Sequence, residues 1–159
     1  MIILKLHISP IKLSDLDKIS LDKEKVKVKI EVETEVNDGE VCIPDGTRKL
    51  IKFNNANCCC ENITNVKIPA TVTIIGPNAF EGCGISSLQI PSSVKEIGRC
   101  AFFACHNLER VEIPDSVTKM GEGVFWGCPK LQQIVVPVGT SEKYKKMIDE
   151  DIHHLIVEK

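Results

Sequence analysis

Apolar residues return along this chain with a period of 22 to 25 residues, carried by a repeated β-branched-residue–proline pair. Pro44, Pro69, Pro91, Pro114 and Pro137 follow Ile43, Ile68, Ile90, Ile113 and Val136, at spacings of 25, 22, 23 and 23. Two positions before those residues sit Val41, Val66, Leu88, Val111 and Ile134; three earlier still come Ile63, Ile85, Leu108 and Leu131. Apolar residues at alternate positions ahead of a proline predict a short strand with one buried face. Proline lacks a backbone donor and has a fixed φ, so it ends that strand and turns the chain.

The register holds downstream of each proline. Val72, Val94 and Val117 are followed by Ile75, Ile97 and Met120, and each of these by Gly76, Gly98 and Gly121. Ala79-Phe80, Ala101-Phe102 and Val124-Phe125 come next, and Cys83, Cys105 and Cys128 close the unit. The Val-x-x-Ile/Met-Gly stretch predicts a second short extended segment, stopped by a glycine at positive φ. Ala-Phe supplies a small and a large side chain to fill the interior of a coil. A single unit of this length cannot bury its own apolar face, but stacked units can.

The units Ile68-Pro-Ala-Thr-Val-Thr-Ile-Ile-Gly-Pro-Asn-Ala-Phe-Glu-Gly-Cys83 and Ile113-Pro-Asp-Ser-Val-Thr-Lys-Met-Gly-Glu-Gly-Val-Phe-Trp-Gly-Cys128 resemble leucine-rich repeats of the BspA type. The resemblance covers roughly residues 41–137. It implies a β-rich α/β solenoid: a short right-handed leucine-rich-repeat array with a parallel sheet on one face. It also implies protein–protein recognition or adhesion, with no catalytic residues and no cofactor. The class is common in surface and secreted proteins of gut and oral bacteria and in some parasitic protists.

Three regions follow from the pattern: a small β/α N-terminal cap over 1–40, repeats over 41–137, and a helix-strand C-terminal cap over 138–159. The first repeat is degenerate, since Ile51 replaces the glycine and Asn54-Asn55 replace Ala-Phe. In the N-terminal cap, Ile2–Ile8 reads as a strand and Ser14 as the N-cap of a short helix. Glu24–Val36 alternates valine or isoleucine with lysine or glutamate, the pattern of a half-exposed strand whose charges discourage edge pairing. At the other end, Thr140 or Ser141 is expected to cap a helix running to about Ile148, and Ile152–Val157 to form a last strand.

Composition excludes more than it suggests. Net charge is −2, from 20 basic and 22 acidic residues spread evenly along the chain. There is thus no basic face for nucleic acid or an anionic membrane. Lys5 and His7 interrupt the N-terminal apolar run, so no export signal is visible and no run is long enough for membrane insertion. The sequence alone favours a soluble cytoplasmic monomer, whereas the family resemblance suggests the cell surface or secretion.

Tempting chemistry dissolves into the repeat. Cys58, Cys83, Cys105 and Cys128 share one repeat position, so they are expected to form a ladder through the stack. Equivalent side chains in a parallel stack point the same way, about 4.8 Å apart, which suits buried thiols better than disulfides. Cys58-Cys59-Cys60 and His153-His154 lack the spacing of a metal site, and no C-x-x-C pair exists, so no metal ligands are assigned. Cys42 is expected on the solvent face of the sheet. His106 reads as a solvated turn residue, and no nucleophile–base pair or phosphate loop is present.

What remains is surface. The outward residues before each proline are Asn65 and Lys67, Ser87 and Gln89, Arg110 and Glu112, and Gln133 and Val135. They make a mixed-sign polar face suited to a protein partner of unknown identity, or to a glycan. A second candidate is an aromatic step, Phe103 and Trp126, one coil apart, of the kind that anchors interfaces. The function predicted from sequence is a non-enzymatic binding scaffold, adhesin-like in its setting. The alternatives are a structural or self-assembling unit and a thiol-based redox or metal sensor.

Overall fold

The computed structural model describes residues 36–37, 40–43, 45–50 and 60–159. The Ile2–Ile8 strand, the Ser14 helix, most of the Glu24–Val36 strand, and the Asn54-Asn55 and Cys58-Cys59 positions lie outside them.

Each repeat folds as one coil with three sides. On the first side, β6 (Ser87–Gln89), β8 (Arg110–Glu112) and β10 (Gln133–Val136) run parallel, with Leu88, Val111 and Ile134 in register and buried. β11 (Ile156–Glu158) joins β10 in parallel and closes this sheet. Ahead of it, β1 (Val36–Asn37) pairs antiparallel with β2 (Glu40–Cys42), which runs parallel to β4 (Asn65–Lys67). β4 and β6 belong to separate sheets. The unit between them is one residue shorter than the next, and Gly84 marks the deletion. A Cβ there would overlap the Glu61 carbonyl oxygen, so the coils touch backbone to backbone at this point.

The second side is the extended segment expected after each proline. β3 (Lys49–Leu50), β5 (Ile74–Ile75), β7 (Glu96–Ile97) and β9 (Lys119–Met120) form a four-stranded parallel sheet. Leu50, Ile75 and Ile97 stack inward in register with Met120. Thr47 occupies the place of Val72, Val94 and Val117 and is buried like them, so the degenerate first repeat keeps this register.

One sequence expectation is corrected on this side. Gly76, Gly98 and Gly121 are not at positive φ. Gly98 and Gly121 are glycine because the coils approach too closely for a side chain. A Cβ on Gly98 would collide with the Pro77 nitrogen, and one on Gly121 with the Arg99 nitrogen. The left-handed residues sit two and six positions later. Asn78, Cys100 and Gly123 have φ of 56, 55 and 62°, and Gly82, Ala104 and Gly127 have φ of 70, 55 and 73°.

Those residues form the third side, a run of turns. The N–H groups of Asn78, Phe80 and Gly82 donate to the carbonyls of Arg99, Ala101 and Phe103. Cys100, Phe102 and Ala104 repeat the pattern toward Glu122, Val124 and Trp126. The turns of this third side therefore satisfy backbone N–H groups through the next coil, which is how an irregular path can be buried. Inside, Phe80, Phe102 and Phe125 stack with centroids 5.4 and 5.7 Å apart. A buried ring of this kind contributes about 3–5 kcal/mol relative to alanine.

The C-terminal cap departs from its expected boundaries. The helix, α1, spans only Ser141–Lys145, and a 3-10 segment covers Glu150–Leu155, leaving Ile156–Glu158 as the strand. Thr140 makes no side-chain cap bond; its hydroxyl donates to the Pro137 carbonyl at 2.6 Å. The Glu158 carboxylate accepts the Ser141 N–H instead, at 2.9 Å. Tyr144, fully buried, ties α1 to the array by donating its hydroxyl to the Pro114 carbonyl at 2.5 Å.

Candidate binding surface

The outer face of the first side of the coil, which spans β4 and the β6-β8-β10 sheet, divides into two halves. On the C-terminal half, Arg110 donates to Gln133 and to Glu112, each at 2.6 Å, and Lys159 reaches Glu112 at 3.9 Å. The Arg110 hydrogen bond and the Lys159 charge hold the Glu112 carboxyl below its usual range. Val135 lies in register between Glu112 and Val157, and Lys159 spans the same strand, so Val135 is only 6 % exposed. Sequence alternation places it on the face; the ion pairs and the neighbouring strand cover it.

On the N-terminal half, Asn65, Lys67, Ser87 and Gln89 are all exposed. Among the described residues their side chains make no hydrogen bond or ion pair. The sheet face thus has one half whose polar groups bind each other and one whose polar groups, among the described residues, make no such bonds.

The aromatic step is built differently from a pair of equivalent rings. Phe103 is half-buried, whereas Trp126 is 46 % exposed. The indole lies over Gly123, where a Cβ would meet ring atoms at 2.6–3.0 Å. In an earlier coil the same two positions hold Asn78 and Glu81, joined by a 2.8 Å hydrogen bond. The left-handed residue and the residue three positions on thus share one space. A glycine at the first position leaves room for the largest side chain at the second.

The cysteine ladder is part of the interior. Cys83, Cys105 and Cys128 occur as thiols, with Cys83 and Cys105 buried. They are more than small hydrophobes: the Cys105 thiol donates to the Phe80 carbonyl at 3.1 Å and the Cys128 thiol to the Phe102 carbonyl at 3.2 Å. Contact with the Cys128 thiol and burial both push the Cys105 thiol up, so it stays protonated and unreactive. Cys100, half-buried, occupies a left-handed position outside this ladder. The Cys42 side chain and Cys58-Cys59 fall outside the described residues. Among the described residues no group of three or more His, Cys, Asp or Glu side chains could hold a metal ion. His153 Nε2 lies 3.0 Å from the Ile148 carbonyl, and His106 is exposed in its turn. No helix of the described residues is long and apolar enough to cross a membrane.

Comparison with known proteins places this architecture. A leucine-rich repeat protein from Bacteroides ovatus matches at 29% identity and a TM-score of 0.44, over 62% of this chain and 33% of that one. A leucine rich cell surface protein from Faecalibacterium prausnitzii A2-165 matches at 25% identity and a TM-score of 0.58, over 70% and 35%. The chain therefore spans about a third of the length of these solved structures. No curated protein matches. The family model described as the BspA type leucine rich repeat region (6 copies) matches residues 52–151. The stacked coils, the two parallel sheets and that match agree, and the chain belongs to the BspA-type leucine-rich repeat family.

Proposed function

We propose that the chain is a non-enzymatic scaffold that binds a protein partner on the open half of its sheet face, over Asn65, Lys67, Ser87 and Gln89. The observation that supports this reading is the division of that face. A partner docking at Arg110, Glu112 or Gln133 would compete with bonds already formed at 2.6 Å. One docking over Asn65, Lys67, Ser87 and Gln89 breaks no such bond among the described residues, so more of each new polar contact survives as affinity. The likeness to a leucine rich cell surface protein favours an adhesin-like setting.

The test is capture from the native host with three baits: the wild-type chain, Ser87→Arg/Gln89→Arg, and Lys130→Ala, which is remote from the face. A partner held by the wild type and by Lys130→Ala, and reduced at least tenfold by the double variant, is the expected result. Equal retention on all three baits would sink the assignment of this face.

A further inference from the structure

The C-terminal cap closes one sheet and leaves the other open. β11 adds to β10, but among the described residues no strand adds to β9. In each earlier coil two carbonyls of the second sheet are taken by the next coil. Arg48 and Leu50 accept from Thr73, Ile74 and Gly76; Thr73 and Ile75 accept from Lys95, Glu96 and Gly98; Lys95 and Ile97 accept from Thr118, Lys119 and Gly121. The matching acceptors of the last coil are the Thr118 and Met120 carbonyls, and among the described residues no donor meets either. They border a groove of about 380 Å³, lined by residues 118–122 on one side and 146–149 on the other.

We propose that this groove takes an extended peptide by strand addition to β9, and that the peptide carries an acidic–aliphatic–glycine triplet. The docking mode continues an interface the chain already makes three times, in which N–H groups from one segment meet two carbonyls of the segment beneath. Each residue of the triplet follows from a neighbour. The acidic residue faces Lys119, which already pairs with Glu96 of the coil below at 2.9 Å, and Lys146 on the opposite wall. The aliphatic residue continues the column Leu50, Ile75, Ile97 and Met120. The glycine lies over Gly121, since both Gly98 and Gly121 sit so close to the preceding backbone that a Cβ is excluded. Glu96-Ile97-Gly98, the segment on which β9 itself rests, has this order. The groove lies on a different side of the coil from the sheet face, so neither proposal depends on the other.

The probe is the blocked peptide Val-Lys-Glu-Ile-Gly, titrated into isotope-labelled full-length protein and followed by amide NMR shifts. Saturable shifts over residues 118–122 and 146–149 are expected. Alanine in place of the peptide glycine, or lysine in place of its glutamate, should weaken binding at least tenfold. The exposed Lys119→Glu variant should keep its fold and favour the lysine peptide over the glutamate one. No saturable shift up to about 5 mM peptide overturns the proposal, because affinity is then too weak to matter. Equal binding of the alanine peptide also overturns it. Self-association through the same residues with no response to peptide would replace the peptide with a second copy as occupant, and so overturns it too.

Discussion

Tyr144 offers a test in which one hydroxyl stabilises the fold at neutral pH and loses that advantage at alkaline pH. It is the chain's only tyrosine, fully buried, and its hydroxyl donates to the Pro114 carbonyl, fixing α1 to the turn after β8. Tyr144→Phe keeps the ring and removes that bond. The Pro114 carbonyl retains the Val117 N–H, so the loss is that of one ordinary hydrogen bond, about 1 kcal/mol at neutral pH. Burial, and then the charge of Asp115, pushes the Tyr144 hydroxyl up to about 12 from a reference of 10. Between those values the unfolded chain ionises while the native hydroxyl keeps its proton. The native state then binds more protons, and stability falls as pH rises. At pH 11 this costs the wild type about 1.4 kcal/mol, one unit of differential titration. Phenylalanine has nothing to titrate, and every other titratable group is common to both proteins, so its contribution cancels in the difference. Urea unfolding followed by circular dichroism should therefore show the variant about 1 kcal/mol less stable at pH 7 and level with wild type near pH 11. A difference that stays constant across that range would refute a shielded hydroxyl. A difference of zero at pH 7 would refute the bond to Pro114.

Four further outcomes follow from the same packing. Gly98→Ala must move the Pro77 backbone and should cost upwards of about 2 kcal/mol in chemical unfolding; Gly139→Ala, left-handed at φ 82° but with nothing nearby, should cost only about 1 kcal/mol. Ala104 holds a left-handed position filled by glycine in both neighbouring coils, so Ala104→Gly should stabilise by about 0.5 kcal/mol and raise Tm by about 1–2 °C in a thermal melt. In mass-resolved alkylation of the folded protein, Cys100 should react well before Cys105, which becomes reactive only with denaturant; early labelling of Cys105 would mean its coil opens. Glu158 is held down to about 2, first by the Gly139 N–H and then by Ser141, so wild type should lose stability relative to Glu158→Gln as pH falls from about 4.5 toward 2.

The interior of this fold was legible in the sequence because every coil repeats it. The strands before each proline, the second extended segment, the stacked phenylalanines and the cysteine ladder all occupy positions that agree across units. The reason for the glycines was not legible. Positive φ and close backbone approach both demand glycine, and only coordinates separate them. The true left-handed sites were hidden for the opposite reason. Asn78, Cys100 and Gly123 share no side-chain chemistry, so nothing marks them as equivalent. The cap boundaries were missed because long-range contacts set them. Thr140 has the chemistry of an N-cap, yet its hydroxyl turns to Pro137, and the carboxylate serving α1 comes from Glu158 in another element. Val135 alternates outward by sequence, but its cover comes from Lys159 and β11, neither of which a strand pattern reveals.

Repetition also indicates where specificity can reside. Residues that recur in every coil are committed to stacking, because changing one breaks contacts with the coils on both sides. The left-handed pairs show how variation is absorbed without consequence: Asn78 with Glu81 and Gly123 with Trp126 fill the same space by different means. Trp126 is thus a ring resting on the glycine that admits it. Two places differ between coils without such compensation. One is the outer sheet face, where a salt-bridged half gives way to Asn65, Lys67, Ser87 and Gln89. The other is the β9 edge, where the hydrogen-bonding pattern of the second sheet stops at two carbonyls beside a groove. The protein partner and the peptide proposed above would have these two sites to read.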